Sequence, residues 1–344
     1  MTAALPIQAL APYLQANIAG FGAELHVRKF SDGQSNPTYL IETDKEKYVL
    51  RKKPEGPILK SAHAVEREFR VIRALAQTNV PVPVALHLCE DDTIIGTPFY
   101  IMSHVEGRTF WSAHLPELAP DARARIYDRM NQTLAHLHMV DVADVGLSDF
   151  GKPGNYFQRQ VARWQQQYRA SETEHLPDME AIMDWLDANM IADDGRVALV
   201  HGDFRLDNLM FDKTGTQVVA LLDWELSTLG HPFADLAYQV SLWSMPPDGP
   251  LSGLKGVDRN AQGLPTDDQY VADYCERTGL DGIKNWDFYQ VFSLFRMAAI
   301  VQGVKKRGLE GSASNRRAAE VGALTAPLAA RAVEILARSQ SILP

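Results

Sequence analysis

Read from its N-terminus, the chain shows apolar residues at helical spacing over residues 6–19. Three short runs follow, 24–30, 38–43 and 47–51, which alternate apolar with polar or are β-branched. Turn residues separate the runs, which predicts one short helix followed by an antiparallel meander. Over 61–76, Val65, Phe69, Ile72 and Leu75 return to helical spacing. Asn79-Val80-Pro81-Val82-Pro83 stops that helix, because proline has no backbone N–H to donate and clashes with a helix interior. Two more strands are predicted at 84–89 and 97–102, ahead of a break at Glu106-Gly107.

Beyond the break the period is mainly helical, with helices predicted at 121–139, 154–169, 179–190, 232–243, 266–278, 286–306 and 316–340. Three apolar runs of strand length, 197–201, 209–211 and 218–222, interrupt them and are flanked by Gly, Asp and Asn. Residues 246–265 are rich in Gly and Pro and have no period, which predicts a surface loop. The pattern gives an α+β chain in two lobes, a strand-rich one over 1–105 and a mainly helical one over 106–344.

Length agrees with that division, since 344 residues exceed what one compact core usually needs. An apolar fraction of 46% and a charged fraction of 22% are those of an ordinary folded chain. The net charge of −9 has the wrong sign for a surface that neutralises a phosphate backbone, so nucleic acid is not expected as a partner. Cys89 and Cys275 are too few for a disulfide framework and lack the paired spacing of a zinc site, which points to a reducing, cytoplasmic setting. No Lys or Arg precedes the apolar residues of 1–20, and no apolar run approaches membrane-spanning length, so neither export nor a membrane partner is expected.

Chemistry concentrates in His201-Gly202-Asp203-Phe204-Arg205-Leu206-Asp207-Asn208, followed by the apolar run that ends at Asp223. Phosphoryl transfer needs a group that orients the attacking hydroxyl and takes its proton, and oxygen ligands that hold Mg²⁺. Asp203, Asn208 and Asp223 supply that set. Asn208 follows Asp203 by five residues, the Asp-to-Asn interval of a protein-kinase catalytic loop, and Asp223 closes an apolar strand as the kinase metal-binding Asp does. Taken singly, each is equally a helix cap or turn former.

With these residues the chain resembles the aminoglycoside phosphotransferase family of kinase-like enzymes, whose catalytic loop reads His-Gly-Asp with an Asn five residues after the Asp. The resemblance covers nearly the whole chain. It implies a bilobal protein-kinase-like fold, with a small antiparallel β-sheet plus helix in the N-lobe and a mainly helical C-lobe, and it implies the use of ATP and Mg²⁺. By motif, Asp203 would be the catalytic base, Asn208 and Asp223 the metal ligands, and His201 and Gly202 the shapers of the loop. Asp235, in Gly230-His231-Pro232-Phe233-Ala234-Asp235, would brace that loop through backbone hydrogen bonds.

The same likeness extends to the first lobe. Residues 30–39 hold the place of a loop over the ATP phosphates, where backbone amides and the Ser35 and Asn36 side chains could donate, although a plain hairpin would have the same composition. Arg51 stands where most kinases have a phosphate-pairing Lys, and Glu68 in the following helix is its partner. Lys53, on the same strand face by the two-residue period, is the alternative cation, and a solvated strand end is the other reading of Arg51-Lys52-Lys53. Ser103 and Val105 lie in the segment corresponding to the hinge, where adenine would meet the main chain.

Three local matches are set aside. Asp149-Phe150-Gly151 imitates the kinase metal motif but precedes the catalytic loop, and residues 146–152 have Walker-type spacing without the strand or the Ser/Thr that motif needs. His136 and His138 lie two apart in a helical pattern and face different directions.

Eleven residues separate Asp223 from Asp235, leaving no room for a protein kinase's peptide platform. A small-molecule hydroxyl acceptor is therefore expected, bound among the late helices and residues 243–265. Arg296, inside the apolar run 291–301, either pairs with a structural carboxylate or binds an anionic acceptor, because a lone buried Arg is costly. The motifs at 33–39, 49–54 and 295–300 are most similar to the kinase-like region joined to some acyl-CoA dehydrogenases, which makes a hydroxyacyl-CoA a candidate acceptor. Trp224-Glu225 after Asp223 fits that branch, with Glu225 near metal or acceptor. The alternative is a non-catalytic nucleotide-binding module, which Arg51 in the Lys position favours and the intact Asp203, Asn208 and Asp223 oppose.

Overall fold

The computed structural model describes residues 5–30, 36–54, 63–311 and 318–341. The N-terminal part holds α1 (Ile7–Asn17), β1 (Leu25–Lys29), β2 (Thr38–Thr43), β3 (Lys47–Lys52), α2 (Val65–Leu75), β4 (Ala85–Cys89) and β5 (Phe99–Ser103). Its five strands form one antiparallel sheet in the order β1-β2-β3-β5-β4. Alternation along β3 decides what each face meets. Tyr48 and Leu50 join Leu10, Leu14, Phe99 and Ile101 under α1, whereas Val49 joins Phe69, Ile72, Tyr100 and Met102 under α2. Arg51 shares the Val49 face and is opposite Tyr100 in register, so it points toward α2 and the second lobe.

The C-terminal part holds α3 (Pro120–His138), α4 (Tyr156–Ser171), α5 (Pro177–Ala188), β6 (Ala198–Val200), β7 (Leu209–Phe211), β8 (Val218–Leu221), β9 (Thr228–Gly230), α6 (Phe233–Leu242), α7 (Asp267–Thr278), α8 (Trp286–Leu309), α9 (Ala318–Gly322) and α10 (Thr325–Ser341). The fold is the expected α+β kinase-like one, in two lobes. Pro at the first turn starts α3 and α5, where no intrahelical N–H bond is lost. A capping box between Thr266 and Gln269 starts α7, and Gly279 in the left-handed region ends it. Helix α8 is buried nearly all round over 291–299, and α4, α5, α6, α9 and α10 pack against it. Among the described residues, no helix is long and apolar enough to cross a membrane.

The structure departs from the expected elements at two places. The helix expected over 316–340 is two, α9 and α10, parted at Ala323-Leu324; Pro327 opens α10, and Thr325 Oγ1 donates to Gly322 O at 3.0 Å across the break. Residues 316 and 317 lie outside the described residues, as do Ser61 and Ala62 ahead of α2. Strand β9 was not expected, because three residues carry no period; its partner β6 defines it. The loop over 246–265 is a surface loop, as expected, with two anchors. Leu254 and Leu264 are buried in it, and the Leu254 N–H donates to Trp243 O at 2.9 Å.

Leu294 lies at the centre of α8 and is fully buried. Leu294→Ala should lower the unfolding free energy by about 2–5 kcal/mol through lost contact and residual cavity, read as a lower urea midpoint at unchanged slope. An unchanged midpoint would show that α8 is not the core of this lobe.

Candidate active site

A guanidinium bridges the lobes at this site. Arg51 Nε lies 2.9 Å from Glu68 Oε2, and its Nη2 lies 2.5 Å from Asp223 Oδ1 and 3.8 Å from Glu225 Oε2. Glu68 is buried in α2 and also accepts from Asn36 Nδ2 at 2.6 Å and from the Tyr100 hydroxyl at 3.1 Å. Asn36 Oδ1 in turn meets His63 Nδ1 at 3.1 Å. Burial pushes the Glu68 carboxyl up to about 7 against the pull of Arg51, with Asp223 and Glu225 adding repulsion. Those acids hold Arg51 charged despite its burial. Lys53 lies just past the end of β3 and is tied to Glu66 Oε2 at 2.9 Å, so Arg51 is the cation that reaches the acids. Ser35 lies outside the described residues.

Asp235, at the start of α6, shapes the loop after β6. Its buried carboxylate accepts the His201 N–H at 2.6 Å and the Gly202 N–H at 2.8 Å, and His138 Nε2 donates to it at 3.3 Å. Burial alone would raise its pKa, but His138, His201 and the loop amide together hold it below the usual carboxylate value. The His201 Nε2–H donates to Leu222 O at 2.8 Å, which leaves Nδ1 to accept the Asp203 N–H at 3.2 Å. Gly202 has φ +82°, and a Cβ there would sit 2.6 Å from Leu226 O, so only glycine fits. Asp223, a non-glycine residue at φ 66°, is the strained counterpart where β8 turns into the short Trp224–Leu226 helix.

The loop presents Asp203 fully engaged. The Tyr238 hydroxyl donates to Oδ1 at 2.6 Å, and Arg205 Nε lies 3.3 Å from the same oxygen. Asn208 Nδ2 donates to the Asp203 carbonyl at 2.9 Å and to Oδ2 at 3.2 Å. Burial works to raise the Asp203 pKa, but Arg205 and the Tyr238 hydrogen bond outweigh it, so the carboxyl lies below its ordinary value. Arg205 Nη2 also donates to Asp207 Oδ2 at 2.7 Å; burial nonetheless raises Asp207. Asn208 spends its amide nitrogen on Asp203, which leaves its oxygen, with the Asp223 carboxylate, as a hard oxygen pair suited to Mg²⁺.

Arg296 contacts the main chain of the loop. It is buried under the loop, donates from Nη2 to Gly202 O at 2.8 Å, and lies between the Trp164 and Tyr238 rings at 5.7 and 5.6 Å. A carbonyl and two ring faces stabilise the charge, and the side chain props the loop. The motif look-alike at Asp149 is engaged elsewhere: it pairs with Arg70, and Phe150 packs beneath Arg67.

Two cavities flank the catalytic loop. One of about 330 Å³ lies between the lobes, with Val49, Tyr100, Met102 and Leu221 on its apolar side, Ser103 and Val105 along its edge, and Arg51, Asn208 and Asp223 at its polar end. Ser103 is committed to the sheet, its N–H donating to Val84 O at 2.9 Å and its Oγ accepting the Val84 N–H at 2.9 Å. The other cavity, about 380 Å³, is lined by Arg205, Asp207, Tyr127, Trp243, Leu251 and Ser252 among others. Trp111, 67% exposed, and Asp207 belong to both walls. Arg205, Asp207, Tyr238 and Trp111 escaped sequence reasoning. Tyr238 had a signal, since it is three residues beyond Asp235 on one helix and shares its face.

Residues 26–288 match the model of the phosphotransferase enzyme family, APH. The mouse protein acyl-CoA dehydrogenase family member 10 is 48% identical over 95% of this chain, which spans 31% of that relative and 43–44% of six further curated relatives. A Ralstonia eutropha protein assigned as an aminoglycoside phosphotransferase superposes with a TM-score of 0.90 at 44% identity, covering 97% of this chain and 99% of that one. Aminoglycoside phosphotransferase APH(4)-Ia, solved with AMP-PNP and hygromycin B, superposes at 0.63 with 15% identity, covering 96% and 99%, and shares the fold. The chain belongs to the APH phosphotransferase family.

Proposed function

We propose that this chain moves the γ-phosphoryl group of Mg-ATP to a hydroxyl of a small molecule, with a hydroxyacyl-CoA or another anionic metabolite as the acceptor. The observation that carries the reading is the convergence of Asn208, Asp223 and Arg51 on one interlobe cavity, with Asp203 hydrogen-bonded to Asn208 and a second cavity lined by Arg205 and Asp207 of the same loop. The AMP-PNP bound to the structural relative supports ATP as the donor. The acyl-CoA dehydrogenase name of the longer relatives supports an acyl-CoA-linked acceptor.

In this reading the apolar wall takes the adenine, and the main chain at Val105, which lines the same cavity, meets its edge. Arg51 leaves part of its hold on Asp223 to meet the phosphates, while Glu68 keeps the guanidinium oriented. Asn208 and Asp223 hold Mg²⁺, which when bound neutralises phosphate charge. Asp203 accepts the acceptor's hydroxyl proton as the new O–P bond forms and the bond to the leaving diphosphate breaks. Tyr238 and Arg205 keep that carboxylate ionised and fix its orientation.

The second reading, nucleotide binding without turnover, is favoured by one observation: Arg51 already holds Asp223 at 2.5 Å. Asp203→Asn separates the two readings. Phosphoryl transfer should fall by roughly 10²–10⁴-fold while Mg-ATP binding, read by calorimetry, is retained. Transfer at the wild-type rate would remove Asp203 as base, and Mg-ATP binding without turnover in the wild type would leave the binding module standing.

The pH profile tests the clamp on Asp203. Its folded pKa is held below the ordinary carboxylate value, so the base stays ionised until the pH falls through that lowered value. Tyr238→Phe removes a donor to the charged form, so the acid limb of kcat/KM should move to higher pH. An unmoved limb would show that Asp203 is not the group titrating in catalysis.

A further inference from the structure

Arg205 stands between the base and the second cavity, and its guanidinium is used unevenly. Nε lies 3.3 Å from Asp203 Oδ1, and Nη2 donates to Asp207 Oδ2 at 2.7 Å. Among the described residues no hydrogen bond engages Nη1. Three of the cavity's other polar side chains are already committed. Gln239 donates to the Met130 sulfur and accepts from the Tyr270 hydroxyl, both at 3.0 Å. The Tyr127 hydroxyl donates to Ala113 O at 2.5 Å, and Ser252 Oγ donates to Pro247 O and accepts the Ala113 N–H, both at 2.9 Å.

Charge decides what that free edge can take. Arg205 is the cation of this wall and already faces two carboxylates, Asp203 and Asp207, so the cluster has a formal excess of one negative charge. A further full anion placed there is repelled by both acids, and its charge is poorly screened in a partly buried site. A neutral carbonyl oxygen accepts from a guanidinium N–H without that repulsion, and the rest of the wall, Trp243, Leu251, Leu242 and Met130, suits a short carbon chain.

We propose that Arg205 is the residue that reads the acceptor: Nη1 donates to the carbonyl oxygen of a neutral hydroxy ester, amide or thioester and so sets the hydroxyl a few carbons away against Asp203. This rests on the phosphotransferase reading. It narrows the acceptor, placing the recognised group at a carbonyl next to the reacting hydroxyl and any anionic part of the molecule away from the loop.

The test compares methyl 3-hydroxybutyrate with 4-methoxy-2-butanol, which has the same skeleton without the carbonyl oxygen, and with free 3-hydroxybutyrate. Each is assayed with Mg-ATP on the wild type and on Arg205→Met, in turnover and in binding by ligand-observed NMR. In the wild type the ester should exceed the ether by roughly tenfold or more, the size of one charge-assisted hydrogen bond, and should exceed the free acid. In Arg205→Met the ester-to-ether ratio should collapse to about one. If Arg205 only positions the base, both probes lose activity in proportion and the ratio survives, which overturns the proposal. Equal behaviour of ester and ether in the wild type, including neither binding, also overturns it. Should Arg205→Met fail to fold by thermal melt, Arg205→Lys, which keeps the charge without the forked donors, is compared by the same ratio and should lower it. Calorimetric Mg-ATP binding is measured alongside, so that loss of nucleotide binding by the wild type counts against the phosphotransferase reading itself.

Discussion

The buried carboxylate of Asp235 is the constraint on which the site is built. A charge with almost no solvent must be satisfied by protein donors, and here the donors are the first two amides of the catalytic loop, with His138 completing the set. Moving the loop would strand that charge. The loop is thus pinned where β6 ends, and Gly202, with its positive φ against the Leu226 carbonyl, makes the pinned path sterically possible. Asp203, Arg205 and Asn208 project from a backbone that has little freedom left. Arg296 adds a support from below, through the Gly202 carbonyl.

On that base the charges are arranged as a chain across the cleft. Glu68 is anchored by Asn36 and Tyr100 in the sheet lobe, Arg51 spans the gap, and Asp223 receives it from the helical lobe. The Arg51 contacts use separate nitrogens of one planar fork, which an ammonium point charge would not reproduce in the same way. The pair joins the lobes where the interlobe cavity ends. A ligand at that end therefore meets a positive charge whose position already depends on both lobes.

The two acids of the loop are pushed apart in proton affinity by their surroundings. Asp203, with Arg205 and Tyr238 against it, is held below its ordinary value; Asp207, with Arg205 as its partner and burial against it, is shifted the other way. Arg205 is common to both and also lines the cavity beyond.

What was legible in the sequence was local. Periodicity located most of the strands and helices, and the five-residue interval from Asp203 to Asn208, with Asp223 at the end of an apolar run, marked a site because those residues share one short loop and one small strand pair. The helix break at Ala323-Leu324 and the three-residue strand β9 were not legible, because each depends on a partner or a packing contact instead of a repeat. Nor were the contacts that give the site its charge: Arg51 meets Asp223 across 172 positions, and Tyr238 meets Asp203 across 35. Arg296 could be read as buried but not as a prop for Gly202. The sequence by itself determined which chemical groups are present and the order in which the chain carries them. Only the packing of the sheet lobe on the helical lobe, and of α6 and α8 under the loop, decided which of those groups face one another, because side-chain directions across elements follow from packing and not from spacing along the chain.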